Sequence, residues 1–138
     1  MKRLIILALS ALCMVAVEAQ QPKTLYEYTY QRTEDVLNDK IINTEVIANL
    51  TGDKYYLLRD TSNNIFYRVD KDGNSEDPEV LRYDPDMNAY KGIFEDWLML
   101  DIVFLSRDAK RLEVSPLIDT EEITYHIYTL TSTRTVYK

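Results

Sequence analysis

Strict alternation marks the stretch Leu25-Tyr26-Glu27-Tyr28-Thr29-Tyr30-Gln31, which carries a tyrosine at every second position. In an extended chain successive side chains point to opposite faces, so Tyr26, Tyr28 and Tyr30 share one face. Tyrosine also suits the pleated, half-buried surface of a sheet. The stretch therefore predicts a β-strand with one aromatic face.

Similar runs rich in tyrosine and β-branched residues recur along the chain, separated by polar breaks that contain or adjoin its glycines and prolines. Strands at a spacing of roughly ten residues are typical of an antiparallel meander. We expect one all-β domain, either closed as a small barrel or folded as a sandwich, an architecture shared by lipocalin-type barrels and many unrelated sandwiches. The remaining expected strands are Thr44–Leu50, Tyr55–Asp60, Ile65–Val69, Val80–Tyr83, Asp96–Leu105, Arg111–Ser115, Glu122–Leu130 and Arg134–Tyr137.

One stretch of the chain, Glu34–Ile42, permits two interpretations. Val36, Leu37 and Ile41 would line one face of a short helix. The alternative is a hairpin that turns at residues 38–40, where asparagine and aspartate favour a tight turn.

The N-terminus has the layout of a secretory signal. Lys2 and Arg3 precede an apolar run from Leu4 to Val17, and small residues flank Glu18 before a cleavage point after Ala19. The run is fourteen residues long, shorter than the ~20 that a membrane-spanning helix needs. We therefore expect a signal peptide over 1–19, a mature domain over 20–138, no membrane span after cleavage, and a periplasmic or extracellular location.

Charge restricts the partners of the mature domain. Residues 20–138 carry 14 basic and 22 acidic side chains, a net charge of −8, and they contain no cysteine. Such a surface repels phosphate backbones, which argues against nucleic acid as a partner. The domain must also fold without a disulfide, so its stability rests on packing.

The segment Trp97–Leu105 is the most apolar part of the mature domain. As a strand it would have two apolar faces, and either could face the core. One interpretation is a central strand, or a buried helix, covered by other elements. The other is a barrel wall that lines a ligand cavity or meets a partner protein. Asp101 lies within this segment and must reach water, a partner group or a metal, because isolated burial of a carboxylate is costly.

Two acidic stretches resemble parts of a calcium-binding loop, in which oxygen ligands alternate along a tight turn. Residues 70–74 supply three such positions before the pattern fails. The second stretch supplies four further residues with suitable oxygen ligands, Asp84, Asp86, Asn88 and Glu95. Whether these residues bind calcium is open at this point. Ordinary Asx turns produce the same strings, so we assign no metal ligand.

Catalytic chemistry has little support in this sequence. His126 is the sole histidine, and no serine occupies a strained elbow motif that would make it a nucleophile. The carboxylate pairs Glu95/Asp96 and Glu121/Glu122 are adjacent in sequence, so on a strand they point to opposite faces. We therefore expect no catalytic residue and no cofactor.

These observations predict a small exported, non-enzymatic β-domain that binds an apolar small molecule, as a barrel interior would allow. A structural or protein-interaction role in the cell envelope, through a sheet edge or the apolar segment near Trp97, is the alternative. A small hydrolase is the third possibility.

Overall fold

The computed structural model describes residues 21–46, 53–62, 64–96, 99–118 and 120–138. All regular secondary structure within these ranges is β-strand, so the all-β prediction is confirmed. The expected signal segment 1–19, residues 47–50 of one expected strand, and Trp97 and Leu98 lie outside the described residues. The strands are β1 (Pro22–Leu37), β2 (Lys40–Val46), β3 (Lys54–Asp60), β4 (Ile65–Val69), β5 (Val80–Asp84), β6 (Ala89–Asp96), β7 (Met99–Ser106), β8 (Arg111–Pro116) and β9 (Glu122–Tyr137).

The sheet closes into a barrel rather than splitting into a sandwich. From β3 to β9 each strand pairs antiparallel with the next one in the chain, and β1 pairs with both β3 and β9. Eight strands thus form the wall, and β2 is an extra strand beside β1. Closure removes the open edges that a flat meander would expose.

β1 is long enough to pair with β3 over its first part and with β2 over its last part. Its residues Thr24–Thr29 pair with β3, whereas Arg32–Leu37 pair with β2. β9 follows β1 along its whole length, from Pro22 to Leu37. Beyond its pairing with β3, β1 lies between β2 and β9 in a three-stranded extension of residues 32–37, 40–46 and 122–127, of which residues 126 and 127 still pair with β8. We call it the β2 extension.

The two interpretations of Glu34–Ile42 are now decided in favour of the hairpin. Leu37 pairs with Lys40, and a two-residue turn of Asn38 and Asp39 connects β1 to β2. Both turn residues have positive φ, 50° and 63°. Asparagine and aspartate tolerate this left-handed backbone better than most residues, and tight hairpins require it.

The expected strand Asp96–Leu105 is wrong at its start, because the chain reverses after Asp96, whereas residues 99–105 do belong to one strand. β6 ends at Asp96, β7 begins at Met99, and these two residues pair across the hairpin. Residues 89–95, for which no strand was expected, complete β6. Gly92 lies in the middle of that strand rather than beside a break. A side chain does not fit at this position, because a Cβ there would come within 2.3 Å of the Val80 carbonyl oxygen. A hydrophobic run that continues through a short turn hides the turn from periodicity.

A smaller correction concerns the last two expected strands, Glu122–Leu130 and Arg134–Tyr137. They form the single 16-residue strand β9. The polar residues between them do not interrupt the pairing with β1, which accommodates irregularities in register at two places.

The barrel interior contains the core, and the predicted tyrosine face of β1 points into it. Of the two faces of β7, the one with Val103 and Leu105 is inside, with both side chains fully buried. Leu100, on the other face, is 48% exposed. The interior cluster consists of Tyr28, Tyr55, Leu57, Phe66, Leu81, Tyr90, Phe94, Val103, Leu105, Ala109, Leu112 and Val114.

A second, smaller cluster lies on the outer surface of the wall. Leu25, Leu58 and Val136 pack together there, on the faces opposite to the barrel interior. The loop that follows β4 folds back over them, with Gly73 in a left-handed conformation at φ 83° and close to both Leu58 and Val136. Only glycine adopts such a backbone without strain.

Candidate functional site

One end of the barrel opens into a cavity of about 590 Å³. Strands β1, β3, β4, β7, β8 and β9 contribute side chains just beyond the buried core layer, so the cavity is the unfilled top of the barrel interior. Its lining residues are Tyr30, Asp53, Lys54, Tyr55, Arg68, Met99, Asp101, Val114, Pro116, His126 and Tyr128.

The two-residue period of the strands places these groups. Tyr30 follows the core residue Tyr28 by two positions on β1, and Arg68 follows Phe66 in the same way on β4. On β7, which runs in the opposite direction, Asp101 precedes the core residue Val103. The cavity lining is thus set by the same register that builds the core.

Three tyrosines form one side of the cavity. The ring centroid of Tyr128 lies 5.2 Å from that of Tyr30 and 5.4 Å from that of Tyr55. Burial, reinforced by the charges of Asp53 and Asp101, raises the pKa of Tyr128 to about 12. Burial also raises the pKa of Tyr55, against the opposing effect of Arg68. Both phenols therefore stay protonated and can donate hydrogen bonds at neutral pH.

Arg68 is already engaged at the bottom of the cavity. Its guanidinium carbon lies 4.8 Å above the ring centroid of Tyr55 and 5.6 Å from that of Phe94. One of its terminal nitrogens donates to Glu79 Oε1 at 3.3 Å. Stacking and ion pairing together hold this side chain in place and offset its charge.

His126 enters the cavity from β9, opposite Val114 on β8. Its Nδ1 lies 3.1 Å from the hydroxyl oxygen of Tyr30, which also contacts the hydroxyl of Thr33. This hydrogen bond ties the imidazole to a phenol rather than to a serine or a carboxylate. A Ser-His-Asp arrangement needs those two partners instead.

Asp101, which the sequence requires to reach water, a partner or a metal, lies in the cavity wall. It is half-buried, and its charge contributes to the raised pKa of both Tyr55 and Tyr128. The carboxylate therefore acts on the same cavity that Tyr55 and Tyr128 line. A ligand that enters the cavity meets this carboxylate.

The four possible calcium ligands do not converge. Asp84 and Ala89 face each other at the base of the β5–β6 hairpin, and Glu95 lies six residues further along β6. At the usual rise of a strand, that separation is roughly 20 Å. Asp84 instead accepts the backbone N–H of Asp86 at 2.9 Å, which is an Asx turn.

The loop at residues 70–74 likewise uses its carboxylate for its own backbone. One oxygen of Asp70 accepts the N–H groups of Asp72 and Asn74, both at 2.9 Å. These hydrogen bonds lower the pKa of Asp70. Across the described ranges, no group of three histidine, cysteine, aspartate or glutamate side chains is arranged to hold a metal ion.

Of the carboxylates considered for glycoside hydrolysis, Glu95, Glu121 and Glu122 are not among the residues that line the cavity. Glu121 and Glu122 are exposed at the start of β9, and Glu95 is exposed near the end of β6.

The sequence directed attention to Tyr30, Asp101 and His126 among the lining residues, but not to Lys54 or Arg68. Charged residues on alternating strands are ordinarily assigned to the outer face, and only the barrel register shows that Arg68 points inward.

Comparison with protein-family models, curated proteins and solved structures gave no match to this chain. None of the residues that the structure describes belongs to a helix long and apolar enough to cross a membrane.

Proposed function

We propose that this protein is a small exported, non-enzymatic binding module that takes up a small molecule at the open end of its barrel. The cavity of about 590 Å³ carries this proposal. Ligand sites ordinarily occupy roughly 300–1,000 Å³ and combine apolar walls with a few polar groups. Export rests on the signal-like sequence of residues 1–19.

The lining argues for an amphipathic ligand rather than the purely apolar one that the sequence suggests. Tyr55, Val114 and Met99 offer apolar surface, but Arg68 and Asp101 face the same space. A purely apolar ligand would remove water from these charges without replacing its hydrogen bonds, which is costly. A molecule with a flat apolar body and one polar end fits both parts of the lining.

A matched pair of variants tests the site. Met99 lines the cavity and is 50% exposed, whereas its neighbour Leu100 points outward and is 48% exposed. Tryptophan at position 99 would fill the cavity mouth, and tryptophan at 100 would add the same bulk outside. We expect Met99→Trp to weaken binding of the neutral fluorescent probe N-phenyl-1-naphthylamine by about tenfold or more, and Leu100→Trp to leave it unchanged.

Native mass spectrometry of the mature protein from its own host complements the probe. A retained small molecule, displaced by Met99→Trp and not by Leu100→Trp, would support the proposal. Equal probe affinity in both variants, together with an empty protein from the host, would count against it.

A second candidate function is self-association through the β2 extension. β2 pairs with β1 on one side, all seven of its residues are exposed, and Ile41, Ile42 and Val46 are 60%, 52% and 66% exposed. An exposed apolar edge strand is a template for another strand. A second copy in antiparallel register can place Lys40 opposite Glu45 twice, which gives two favourable cross-strand charge pairs.

Sedimentation equilibrium tests this second candidate. We expect Ile42→Lys to lower self-association, since lysine on an edge strand opposes pairing. The control is Ile93→Lys, because Ile93 is similarly exposed (53%) but lies in β6 within the barrel wall. A wild-type protein that stays monomeric at every concentration would exclude self-association through β2.

A further inference from the structure

The charges around the cavity are not balanced, and this imbalance bears on the class of ligand. Asp53 and Asp101 line the cavity, and Glu79 lies behind Arg68. Arg68 and Lys54 are the basic residues of the lining. Three carboxylates against two cations leave a net negative site on a protein whose overall charge is already −7.

Both basic residues of the lining already interact with other groups of the protein. Arg68 is paired with Glu79 and stacked on Tyr55, as described above. The Lys54 ammonium group donates a 2.9 Å hydrogen bond to the hydroxyl of Thr29, a fully buried residue. Its charge also acts toward the outer surface: the pKa of Glu27 is lowered by a hydrogen bond from Ser132 and by the charge of Lys54.

The aromatic wall favours the same sign of ligand charge. Tyrosine rings carry negative potential on their faces and attract cations within about 6 Å of the ring centroid. The structure already contains one such contact, with the Arg68 guanidinium 4.8 Å from the centroid of Tyr55. Tyr30 and Tyr128, 5.2 Å apart at their centroids, continue this wall toward the open end.

We infer that the polar end of the ligand is an organic cation, an alkylammonium group that contacts the cavity side of the Tyr30 and Tyr128 rings and the carboxylate of Asp101. This inference rests on the proposed function and names the ligand class for the same cavity. The apolar body of the ligand then packs against Val114 and Met99. Desolvated aromatic and carboxylate contacts together are the usual means by which proteins bind ammonium groups.

The test compares three probes that share a phenyl body and differ in the polar end. They are 2-phenylethylamine, the neutral 2-phenylethanol and the anionic phenylacetate, each titrated into the mature protein and followed by NMR chemical shifts. We expect the amine to bind at least about tenfold more tightly than the alcohol, and phenylacetate to bind most weakly.

Variants assign the preference to its residues. Asp101→Asn keeps the shape of the side chain and should remove most of the advantage of the amine over the alcohol. The control is Asp108→Asn, because the Asp108 side chain is exposed after the end of β7, outside the cavity lining. Tyr128→Phe keeps the ring face and should retain amine binding, whereas Tyr128→Leu should lose it.

The outcomes separate this inference from the proposed function. Equal binding of amine and alcohol at the cavity would overturn the cationic ligand and leave the binding function intact. Tighter binding of phenylacetate would also overturn it and would point to Arg68 as the recognition group. If no probe shifted cavity resonances and the Met99 and Leu100 variants also behaved alike, the proposed function itself would fail.

Discussion

The hydroxyl of Tyr28 donates a 2.7 Å hydrogen bond to the carbonyl oxygen of Ala109, and so joins β1 to the turn between β7 and β8. Ala109 is only 4% exposed and has a left-handed backbone, φ 61°. This conformation costs an alanine roughly 1–2 kcal/mol. The turn is therefore held inside the lower end of the barrel by burial and by this contact, opposite to the cavity.

Removal of that hydroxyl should destabilise the barrel. Tyr28→Phe leaves the carbonyl of Ala109 buried without its partner, which typically costs about 1–3 kcal/mol. Urea denaturation followed by circular dichroism measures the loss. Tyr137→Phe is the control, since Tyr137 is 68% exposed and should tolerate the change. Equal stability of the two variants would show that Ala109 finds another donor.

Gly92 should not accept a side chain. A Cβ at this position would lie 2.3 Å from the Val80 carbonyl oxygen and 2.8 Å from a Leu81 methyl group. Because the first neighbour is backbone, the β5–β6 pair would have to separate, and overpacking of this kind costs about 1–3 kcal/mol or more. Gly92→Ala should therefore lower Tm by on the order of 10 °C.

The control for that experiment is Ile93→Ala, the next residue of the same strand. Ile93 is 53% exposed, so its truncation should change Tm little. Glycine at 92 would be dispensable if the two variants melted together.

The free energy of unfolding should fall at alkaline pH because of two buried tyrosines. Burial raises the pKa of both Tyr28 and Tyr55 in the folded state. The unfolded chain ionises near pH 10, while the folded protein keeps both protons. Their stabilisation is therefore complete below about pH 10 and falls above it by about 1.4 kcal/mol per pH unit for each tyrosine.

Urea midpoints measured from pH 8 upward would reveal this decline, together with the absorbance change of ionising tyrosine. Tyr28→Phe should give a shallower slope, because one of the two protons no longer contributes. A variant with the wild-type slope would mean that Tyr28 ionises normally in the folded protein.

Arg111 should form one strong and one weak ion pair. Arg111 lies 3.3 Å from Glu34 and 2.9 Å from Glu113. The Glu34 side chain is 6% exposed and also pairs with Arg32, whereas the Glu113 side chain is 30% exposed. Solvent screens the second pair, for which we expect about 0–1 kcal/mol despite its shorter distance.

Double-mutant cycles with glutamine at positions 34, 111 and 113 measure the two coupling energies. We expect the coupling of Arg111 with Glu34 to be the larger, at about 1–3 kcal/mol, since its carboxylate is largely removed from water. A larger coupling with Glu113 would mean that distance, rather than burial, decides these pairs.

Local patterns predicted the strands well, because alternation and turn residues act within a few positions of one another. The tyrosine face of β1 and the strand Ile65–Val69 are examples. Closure of the barrel depends on β1 and β9, whose pairing joins residues about as far apart as the chain allows. No local pattern contains that information, so barrel and sandwich could not be separated from the sequence.

The candidate site was predictable only in part. Asp101 drew attention because a carboxylate in an apolar run requires a reason, and the cavity supplies one. Arg68 drew none, since the alternation of β4 is the same whichever face points inward. The hairpin between Asp96 and Met99 was missed because apolar residues continue through it. The decisive information in each case was the register between strands.

The pairing of β1 with β9 also has a consequence for folding. The first and last residues of the described chain bond to each other, with Gln21 and Lys138 exchanging two backbone hydrogen bonds of 3.0 Å. The chain cannot complete the ring of strands until β9 has been synthesised, and such non-local contacts slow folding. Until then β1 has an unpaired edge, and truncation within residues 122–137 should yield a chain prone to aggregate.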